Sequence, residues 1–297
     1  MVHHIAKPQK IEEIATNNCK EAVLFNSDAL SKIISYLSSV DVLNLAITCK
    51  RIGISDNDDS SVIKDSASIV VQDLATEEQL AALPRYDGES SLADYHYLQL
   101  IRAPLTFDQL SRGAEYVNDS DKSCVRYRMA GVGGSWVTAI SNNILRAGKH
   151  YASFNFNSRH NNVFVGVMRP GQANENASDF PVRKEFFQHF SPSIECNNNN
   201  NSLHCGMYYA YSGKCLSSDW SSSDIPVVET WVGLEPAASG DDVGLLLDLD
   251  EGTLAVYKDG RKLGVMKSGL AGPYCWVVSM FHKDSQITIK RGTVPRG

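Results

Sequence analysis

Three acidic residues between two apolar segments are the first candidates for chemistry: Asp248, Asp250 and Glu251, within GLLLDLDEGTLAVY. A carboxylate pair can act as general acid and base, and clustered carboxylates can bind calcium. The twelve-position ligand spacing of a calcium loop is missing here, and acids are common in turns between strands because their side chains bond the nearby backbone. We therefore interpret these residues as turn residues and not as a catalytic or metal site.

The other candidates for chemistry also lack the spacing that their chemistry needs. The glycines of GVGG (131–134) are not followed by the Lys-Ser/Thr of a phosphate loop, and the next residues, SWVTAIS, predict a strand instead of a helix. His189, His204 and His282 have no Cys or His partner at zinc spacing, and a Gly-x-Ser-x-Gly elbow is missing. The sequence thus predicts a protein that is not an enzyme and uses no cofactor or metal.

Composition limits the cellular locations and the classes of partner that we expect for this chain. The net charge of −6 argues against nucleic acid, whose binders need a basic surface. No apolar run could span a bilayer, so no membrane partner is expected. The cysteines are odd in number and form no CxxC pair, which predicts reduced thiols and a cytoplasmic or nuclear location. They are Cys19, Cys49, Cys124, Cys196, Cys205, Cys215 and Cys275.

The segment from Asp241 to Gly264 contains the three acids, and its pattern predicts consecutive antiparallel strands. Leu245, Leu247 and Leu249 alternate with other residues, so one face of a strand is apolar, and Leu254 and Val256 repeat the pattern after a turn. The dipeptide Asp259-Gly260 favours a type I′ hairpin, whose two central residues need positive φ.

Further alternation extends this prediction to an antiparallel β-sandwich over residues 105–293. Apolar residues alternate in HYASFNFN and NNVFVGVM, and Ile287 and Ile289 close the series. Residues 169–204 predict a long polar loop, since they include a run of five asparagines. Trp136, Trp231 and Trp276 lie within apolar segments and are predicted to be core residues.

Before the sandwich, the chain predicts helices with more apolar surface than they can bury alone. Ser27 could cap a first helix and Ser39 a second. The second helix is apolar nearly all round, and two short helices make too small a core to be stable, so one face should pack on another protein or on the helices that follow. The apolar positions that we expect to contact a partner are Phe25, Leu30, Ile33, Ile34, Leu37, Leu43 and Leu45.

The fold class is therefore predicted as α+β and multidomain, with a small helical segment before a β-sandwich. We expect a flexible arm over residues 1–22, the apolar helices over 23–53, and an acidic linker with a helical connector over 54–104. The connector contains Thr76-Glu77-Glu78-Gln79, which has the pattern of a helix capping box.

The helical segment FNSDALSKIISYLSSVDVLNLAITCKRIG resembles an F-box, through Asp28, Leu30, Ile33, Asp41 and the Cys49-Lys50-Arg51 triplet among others. Phe25-Asn26 stands where the family usually has Leu-Pro, and Ile52 where it often has Trp. The resemblance implies docking on the adaptor subunit of a cullin–RING ubiquitin ligase.

The sandwich segment resembles a SPRY domain, through HYASFNFN, NNVFVGVMRPG, YYAYSGKC, the Asp241–Gly264 segment and GLAGPYCWVVSMF, in that order. The resemblance implies a protein-interaction module without catalytic residues, which binds its partner through loops at one edge. Arg169, Tyr209, Tyr211 and Trp220 are the predicted target-binding residues, since exposed Arg, Tyr and Trp are frequent interface anchors. Packing within the sandwich remains the alternative for each of them.

Together the resemblances predict a substrate receptor of a cullin–RING ligase, with an unknown target. Two alternatives remain open. The chain could be a SPRY scaffold unrelated to ubiquitin, or a carbohydrate-binding sandwich that uses Trp220 and the acids near Asp248.

Overall fold

The computed structural model describes residues 26–48, 62–81, 83, 90–111, 113–128, 136–141, 143–158, 160–169, 205–218 and 227–295. The chain divides into two compact units, Met1–Ala103 and Pro104–Gly297. The first unit is helical and the second is an antiparallel β-sandwich, so the predicted fold class is confirmed. Within the described residues, the helices are too short or too polar to cross a bilayer.

Five helices form the described part of the first unit. They are α1 Ser27–Ile34, α2 Ser39–Thr48, α3 Val62–Leu74, α4 Glu77–Ala81 and α5 Ser91–Arg102. Their apolar faces meet in one core, the helical core, to which all of them except α4 contribute fully buried side chains. Its members are Leu30, Ile34, Val42, Ala46, Ile63, Ala67, Val70, Val71, Leu83, Tyr95 and Leu98.

The caps of these helices follow the expected chemistry, but two lie one residue earlier than predicted. The side chain of Asn26, not Ser27, accepts hydrogen bonds from the amides of Asp28 and Ala29, at 2.9 and 3.1 Å. Likewise Ser38, not Ser39, accepts from the Asp41 amide at 3.1 Å and donates to its carboxylate. A run of cap-forming residues leaves the choice among neighbours to the turn that precedes the helix.

The capping box predicted at Thr76 to Gln79 is confirmed. Thr76 and Gln79 exchange backbone-to-side-chain hydrogen bonds, each 3.2 Å long. The reciprocal pair satisfies two amides that α4 leaves without helical partners.

The second unit contains fourteen strands among its described residues. They are β1 Gln109–Leu110, β2 Ala114–Asn118, β3 Asp121–Tyr127, β4 Val137–Ile140, β5 Lys149–Asn157, β6 Val163–Met168, β7 Cys205–Tyr209, β8 Cys215–Ser218, β9 Val227–Glu229, β10 Asp242–Asp248, β11 Thr253–Lys258, β12 Arg261–Ser268, β13 Cys275–Met280 and β14 Gln286–Arg291. The first sheet has the order β1-β4-β13-β6-β7-β8-β9, and the second has the order β12-β11-β10-β5-β14-β3-β2. All neighbouring strands are antiparallel.

The Asp259-Gly260 hairpin is confirmed. It joins β11 to β12, and both residues have positive φ, 48° and 79°. This conformation matches the twist of the flanking strands, which is why a tight hairpin forms here. In the described chain β12 is the outermost strand of the second sheet, and it carries Arg261, Lys262 and Lys267.

The two sheets differ in how they are buried. Alternate residues of β5, such as Phe154 and Phe156, face the core between the sheets, while their neighbours are exposed or half-buried. All residues of β6 and β13 are buried. Some of them face the main core, and others, such as Phe164, Met168 and Val277, belong to a second apolar cluster distinct from that core. The first sheet is thus apolar on both faces, as continuous apolar runs favour.

Of the three tryptophans predicted to be core residues, only Trp276 is fully buried, with its ring 5.9 Å from that of Phe154. The other two are only partly buried, with Trp231 packed against the main core and Trp136 against the second cluster, so the prediction is confirmed for them only in part. Trp231 lies outside the strands and its indole donates to the Gly213 carbonyl at 2.7 Å. Trp136 precedes β4 and is half-buried. Each lies just beyond the end of a strand, a position that apolar neighbours in the sequence do not reveal.

Candidate functional site

The helical unit presents an apolar surface at the junction of α1 and α2, the docking face, made of Ile33, Tyr36, Val40, Leu43 and Ile47. Their exposed fractions are 38%, 77%, 61%, 45% and 67%. Val40, Leu43 and Ile47 recur at the spacing that places residues on one side of a helix. Five large apolar side chains exposed on two adjoining short helices are characteristic of an interaction site.

The docking face overlaps only partly with the predicted partner-binding residues. Ile33 and Leu43 belong to it. Leu30 and Ile34 are fully buried in the helical core, and Leu37 and Leu45 pack partly against that core. Phe25 lies outside the described residues. Leu30 and Ile34 therefore hold the helices together, while Tyr36, Val40 and Ile47, which the prediction did not include, offer free surface.

The sandwich carries a different kind of cluster where four strands of its first sheet begin or end. Because neighbouring strands are antiparallel, the start of β4, the end of β13, the start of β6 and the end of β7 meet at one end of the sheet. The residues at these termini are named here the end cluster. They are Trp136, His160, Asn162, Phe164, Tyr209, Tyr211, Phe281 and His282.

Aromatic contacts run through the end cluster. The Trp136 ring lies 4.9 Å from Phe164 and 5.2 Å from Phe281, measured between centroids. Phe164 stacks on Tyr209 at 4.3 Å, and Tyr209 lies 5.9 Å from Tyr211. Tyr211 is 63% exposed, so the series passes from the apolar outer face of the sheet to solvent.

Polar groups link the same strand ends. The Tyr209 hydroxyl donates to Oδ1 of Asn162 at 2.5 Å. The Asn162 amide nitrogen lies 2.8 Å from Nε2 of His282, which accepts this bond when the ring carries its proton on Nδ1. The rings of His160 and His282 are 4.4 Å apart. The side-chain amide of Asn162 thereby links Tyr209 to His282 and fixes both side chains.

Burial changes the acidity of two of these groups. Desolvation, and to a smaller extent the adjacent Tyr211, raises the pKa of Tyr209, so its hydroxyl keeps its proton and remains a donor. Desolvation and then the neighbouring His160 lower the pKa of His282, which favours the neutral ring. A neutral imidazole can accept from Asn162, as the geometry requires.

The predicted target-binding residues are not all together. Tyr209 and Tyr211 belong to the end cluster, whereas Arg169 follows the opposite end of β6, about 20 Å away along a six-residue strand. The Arg169 guanidinium donates to the Ala271 carbonyl and lies 5.7 Å from the centroid of the Tyr274 ring. Trp220 lies outside the described residues.

Sequence reasoning did not single out Trp136, His160, Asn162, Phe281 or His282 as binding residues. Each lies at or just beyond a strand end, where alternation stops and no motif marks a function. Their common position depends on which strand ends are neighbours, and that follows from the sheet order. A search for aromatic and His residues next to predicted strand ends could have selected them.

The candidates for chemistry have structural roles where the structure describes them. Asp248 accepts hydrogen bonds from the amides of Asp250 and Glu251 at 3.2 and 3.1 Å, so it shapes the turn. No group of three or more potential metal ligands occurs within the described ranges. Cys124, Cys205, Cys215 and Cys275 are buried thiols that are not oxidised to disulfides, and desolvation raises the pKa of Cys215 and of Cys275 to about 12. Such thiols remain protonated and are poor nucleophiles.

The chain is similar in fold to several solved structures. They include the SPRY domain of human HERC1 (14% identity, TM-score 0.40, 62% of this chain and 98% of that domain) and the TRIM65 PSpry domain (18%, 0.41, 65% and 97%). A third is the carbohydrate-binding module CBM66 from Bacillus subtilis (8%, 0.34, 62% and 94%). Because the TM-scores are below 0.5, they do not discriminate between a protein-binding and a sugar-binding sandwich. No protein-family model matches the chain, and no curated protein sequence does.

Proposed function

We propose that this chain is a substrate receptor that joins two interaction surfaces and performs no chemistry itself. In this proposal the helical unit is an F-box-like module that docks on the adaptor subunit of a cullin–RING ubiquitin ligase. The sandwich is a SPRY-type module that holds a target protein, in the cytoplasm or nucleus. Tethering raises the effective concentration of the target near the ligase, which needs no catalytic group on this chain.

The observation that carries the proposal is the docking face. The small helical unit leaves Tyr36, Val40 and Ile47 largely exposed, although burial of apolar side chains would stabilise it. Burying the exposed parts of the five side chains would contribute about 6 kcal/mol before association costs. Micromolar binding needs about 8 kcal/mol net. The adaptor must therefore also contact polar residues around the face.

The end cluster supports the second half of the proposal. Tyr211 offers a large exposed ring, and the contacts of Tyr209 with Phe164 and Asn162 hold the adjoining ring in place. An anchor of this kind loses little side-chain entropy on binding, which favours recognition of a protein surface or peptide. The carbohydrate alternative has no comparable support, because Asp248 is occupied in its turn.

Binding of purified full-length chain to a purified adaptor subunit tests the ligase half. We expect the wild type to bind and a Val40→Asp, Ile47→Asp double variant to lose at least tenfold in affinity, because two charges would enter an apolar contact. Val117→Asp is the matched control, since Val117 is exposed on β2 of the sandwich. If wild type does not bind, or if the three proteins bind equally, the ligase proposal fails and the scaffold alternative replaces it.

Ubiquitylation in cells tests the link between the two surfaces. A genuine target should lose ubiquitin both with the Val40→Asp, Ile47→Asp variant and with Tyr211→Ala, since each removes one side of the bridge. Targets that respond to Tyr211→Ala alone would indicate a scaffold whose partners are not delivered to a ligase.

A further inference from the structure

The turn between α1 and α2 is held by side chains of α5, a helix about sixty residues further along the chain. Gln99 accepts a hydrogen bond from the Ser39 amide at 2.7 Å and donates to the Leu37 carbonyl at 2.8 Å. The Tyr95 hydroxyl lies 2.7 Å from the Leu37 carbonyl and 2.8 Å from the Ile34 carbonyl. One α5 face therefore satisfies the backbone on both sides of the turn.

Two of these backbone groups are at helix ends and are bonded by α5 side chains. The Leu37 carbonyl lies beyond the last residue of α1 and the Ser39 amide begins α2, where helices leave donors and acceptors unsatisfied. The Ile34 carbonyl also accepts from the Leu37 amide, at 2.9 Å. Gln99 also donates to the Tyr95 hydroxyl at 2.8 Å, so the two side chains form one network. The α1–α2 turn is thus fixed from outside its own sequence.

The same turn lies in the middle of the docking face. Ile33 and Tyr36 precede Leu37, while Val40 follows Ser39 in the first turn of α2. A shift in the path of residues 35–39 would change the separation of Tyr36 from Val40 and Leu43. The turn therefore sets where the two halves of the docking face lie relative to each other.

We infer that Tyr95 and Gln99 are positioning residues for the docking face, which they shape without belonging to it. This inference rests on the proposed function, because it assigns to the connector helix a role in adaptor binding. It implies that the F-box-like segment cannot be exchanged between proteins without α5. It also predicts that changes in α5 weaken a contact made by α1 and α2.

The alternative is that Tyr95 and Gln99 only stabilise the unit as a whole. Tyr95 is 2% exposed and its ring is part of the helical core, so a substitution must keep the ring. Tyr95→Phe removes the hydroxyl alone, and Gln99→Leu removes the amide while keeping a side chain of similar size. The double variant leaves the Ser39 amide and the Leu37 carbonyl without these partners.

The experiment compares full-length wild type with the Tyr95→Phe, Gln99→Leu double variant, well below the melting temperature of both. Tyr97→Phe is the control, because Tyr97 lies on the same helix and is also partly buried against the core. Two quantities are measured, backbone hydrogen exchange by segment and affinity for the purified adaptor subunit.

We expect the double variant to exchange faster in residues 34–40 but not in α3 or the sandwich, and to bind the adaptor about tenfold more weakly, because the turn that joins the two helices of the docking face is loosened. The control should match wild type in both measurements. Faster exchange throughout the helical unit, or unchanged affinity in a variant with a loosened turn, would overturn the inference.

Failure of the proposed function would be distinguishable. If wild type does not bind the adaptor, the docking proposal falls, and the role of Tyr95 and Gln99 in adaptor binding falls with it. If the double variant still exchanges faster only in residues 34–40, the conclusion that remains is that Tyr95 and Gln99 hold the turn. If wild type binds and only the positioning is wrong, the double variant binds as wild type does.

Discussion

The helical unit and the sandwich differ in the size of their cores and in the candidate surface that each presents. Eleven buried hydrophobic residues make the helical core, while thirty make the main core of the sandwich in the described parts of the chain. The smaller core depends on polar contacts such as those of Tyr95 and Gln99, and it leaves aliphatic residues exposed. The larger core carries an aromatic and polar cluster at the margin of one sheet. The docking face and the end cluster are thus different kinds of surface, on units whose cores differ in size.

The largest effect is expected in the sandwich core. Trp276→Ala should lower the free energy of unfolding by about 3–5 kcal/mol, because a fully buried indole leaves a cavity. Calorimetry should show the sandwich transition at lower temperature and the helical transition unchanged, since the two cores share no residues. Val232→Ala is the control, with 91% of the side chain exposed and almost no expected effect. A lower transition temperature for both units would contradict the view that their cores are independent.

The reciprocal substitution in the small core is Leu30→Ala, with an expected loss of about 2–4 kcal/mol in the helical unit. That is a large share of the stability that so few buried residues can supply. Circular dichroism should show loss of helix while the near-ultraviolet signal of Trp276 persists. Exposed Leu74→Ala should leave helix content as it is. Loss of sandwich structure together with helix would show that the units depend on one another.

A smaller effect is expected from the ion pairs of Glu235, which contacts Lys258 at 3.0 Å and Arg261 at 2.6 Å. Hydrogen bonds from Arg261 and Lys258 lower the pKa of Glu235, so its contribution is present above pH 4.5 and is lost as pH falls through the lowered pKa. Glu235→Gln should reduce the melting temperature of the sandwich at pH 7, and its difference from wild type should shrink as the pH falls below 4.5. Glu251→Gln, at an exposed turn, is the control. A difference in melting temperature that does not shrink below pH 4.5 would mean that packing, not charge, holds this residue.

The smallest expected effect concerns His282. Because its folded pKa is lowered, the unfolded chain takes up the proton first as pH falls below 6.5, and the folded state loses stability until the pH reaches the lowered pKa. His282→Gln should flatten the decline of the melting temperature between pH 7.5 and 5. His160→Gln should flatten it partly, by removing the electrostatic effect of the neighbouring ring on His282. Parallel curves for the three proteins would contradict the described contact of the two rings.

Local features were predictable from the sequence because local chemistry decides them. The Asp259-Gly260 hairpin and the Thr76–Gln79 capping box each depend on a few adjacent residues. The alternation in β5 marked Phe154 and Phe156 as buried for the same reason, since successive side chains of a strand face opposite sides.

Features that depend on distant residues escaped prediction. Tyr95 and Gln99 contact a turn about sixty positions away, and no spacing in the sequence indicates that pairing. Tyr209 ends one apolar strand and Arg169 follows another, but only the sheet order shows that they lie at opposite ends of the sheet. Helical periodicity likewise marked Leu30 and Ile34 as partner-binding candidates, although it cannot tell a face that meets other helices from one that meets a partner.

The outermost strand of the second sheet has a consequence for solubility. A long strand at a sheet margin can pair with the same strand of another molecule, which is a common start of aggregation. In β12, three of the eight residues are cationic, and the exposed Lys262 lies at the hairpin end. Two copies brought margin to margin would place these like charges close together. Repulsion between them would therefore disfavour pairing of two copies through this margin.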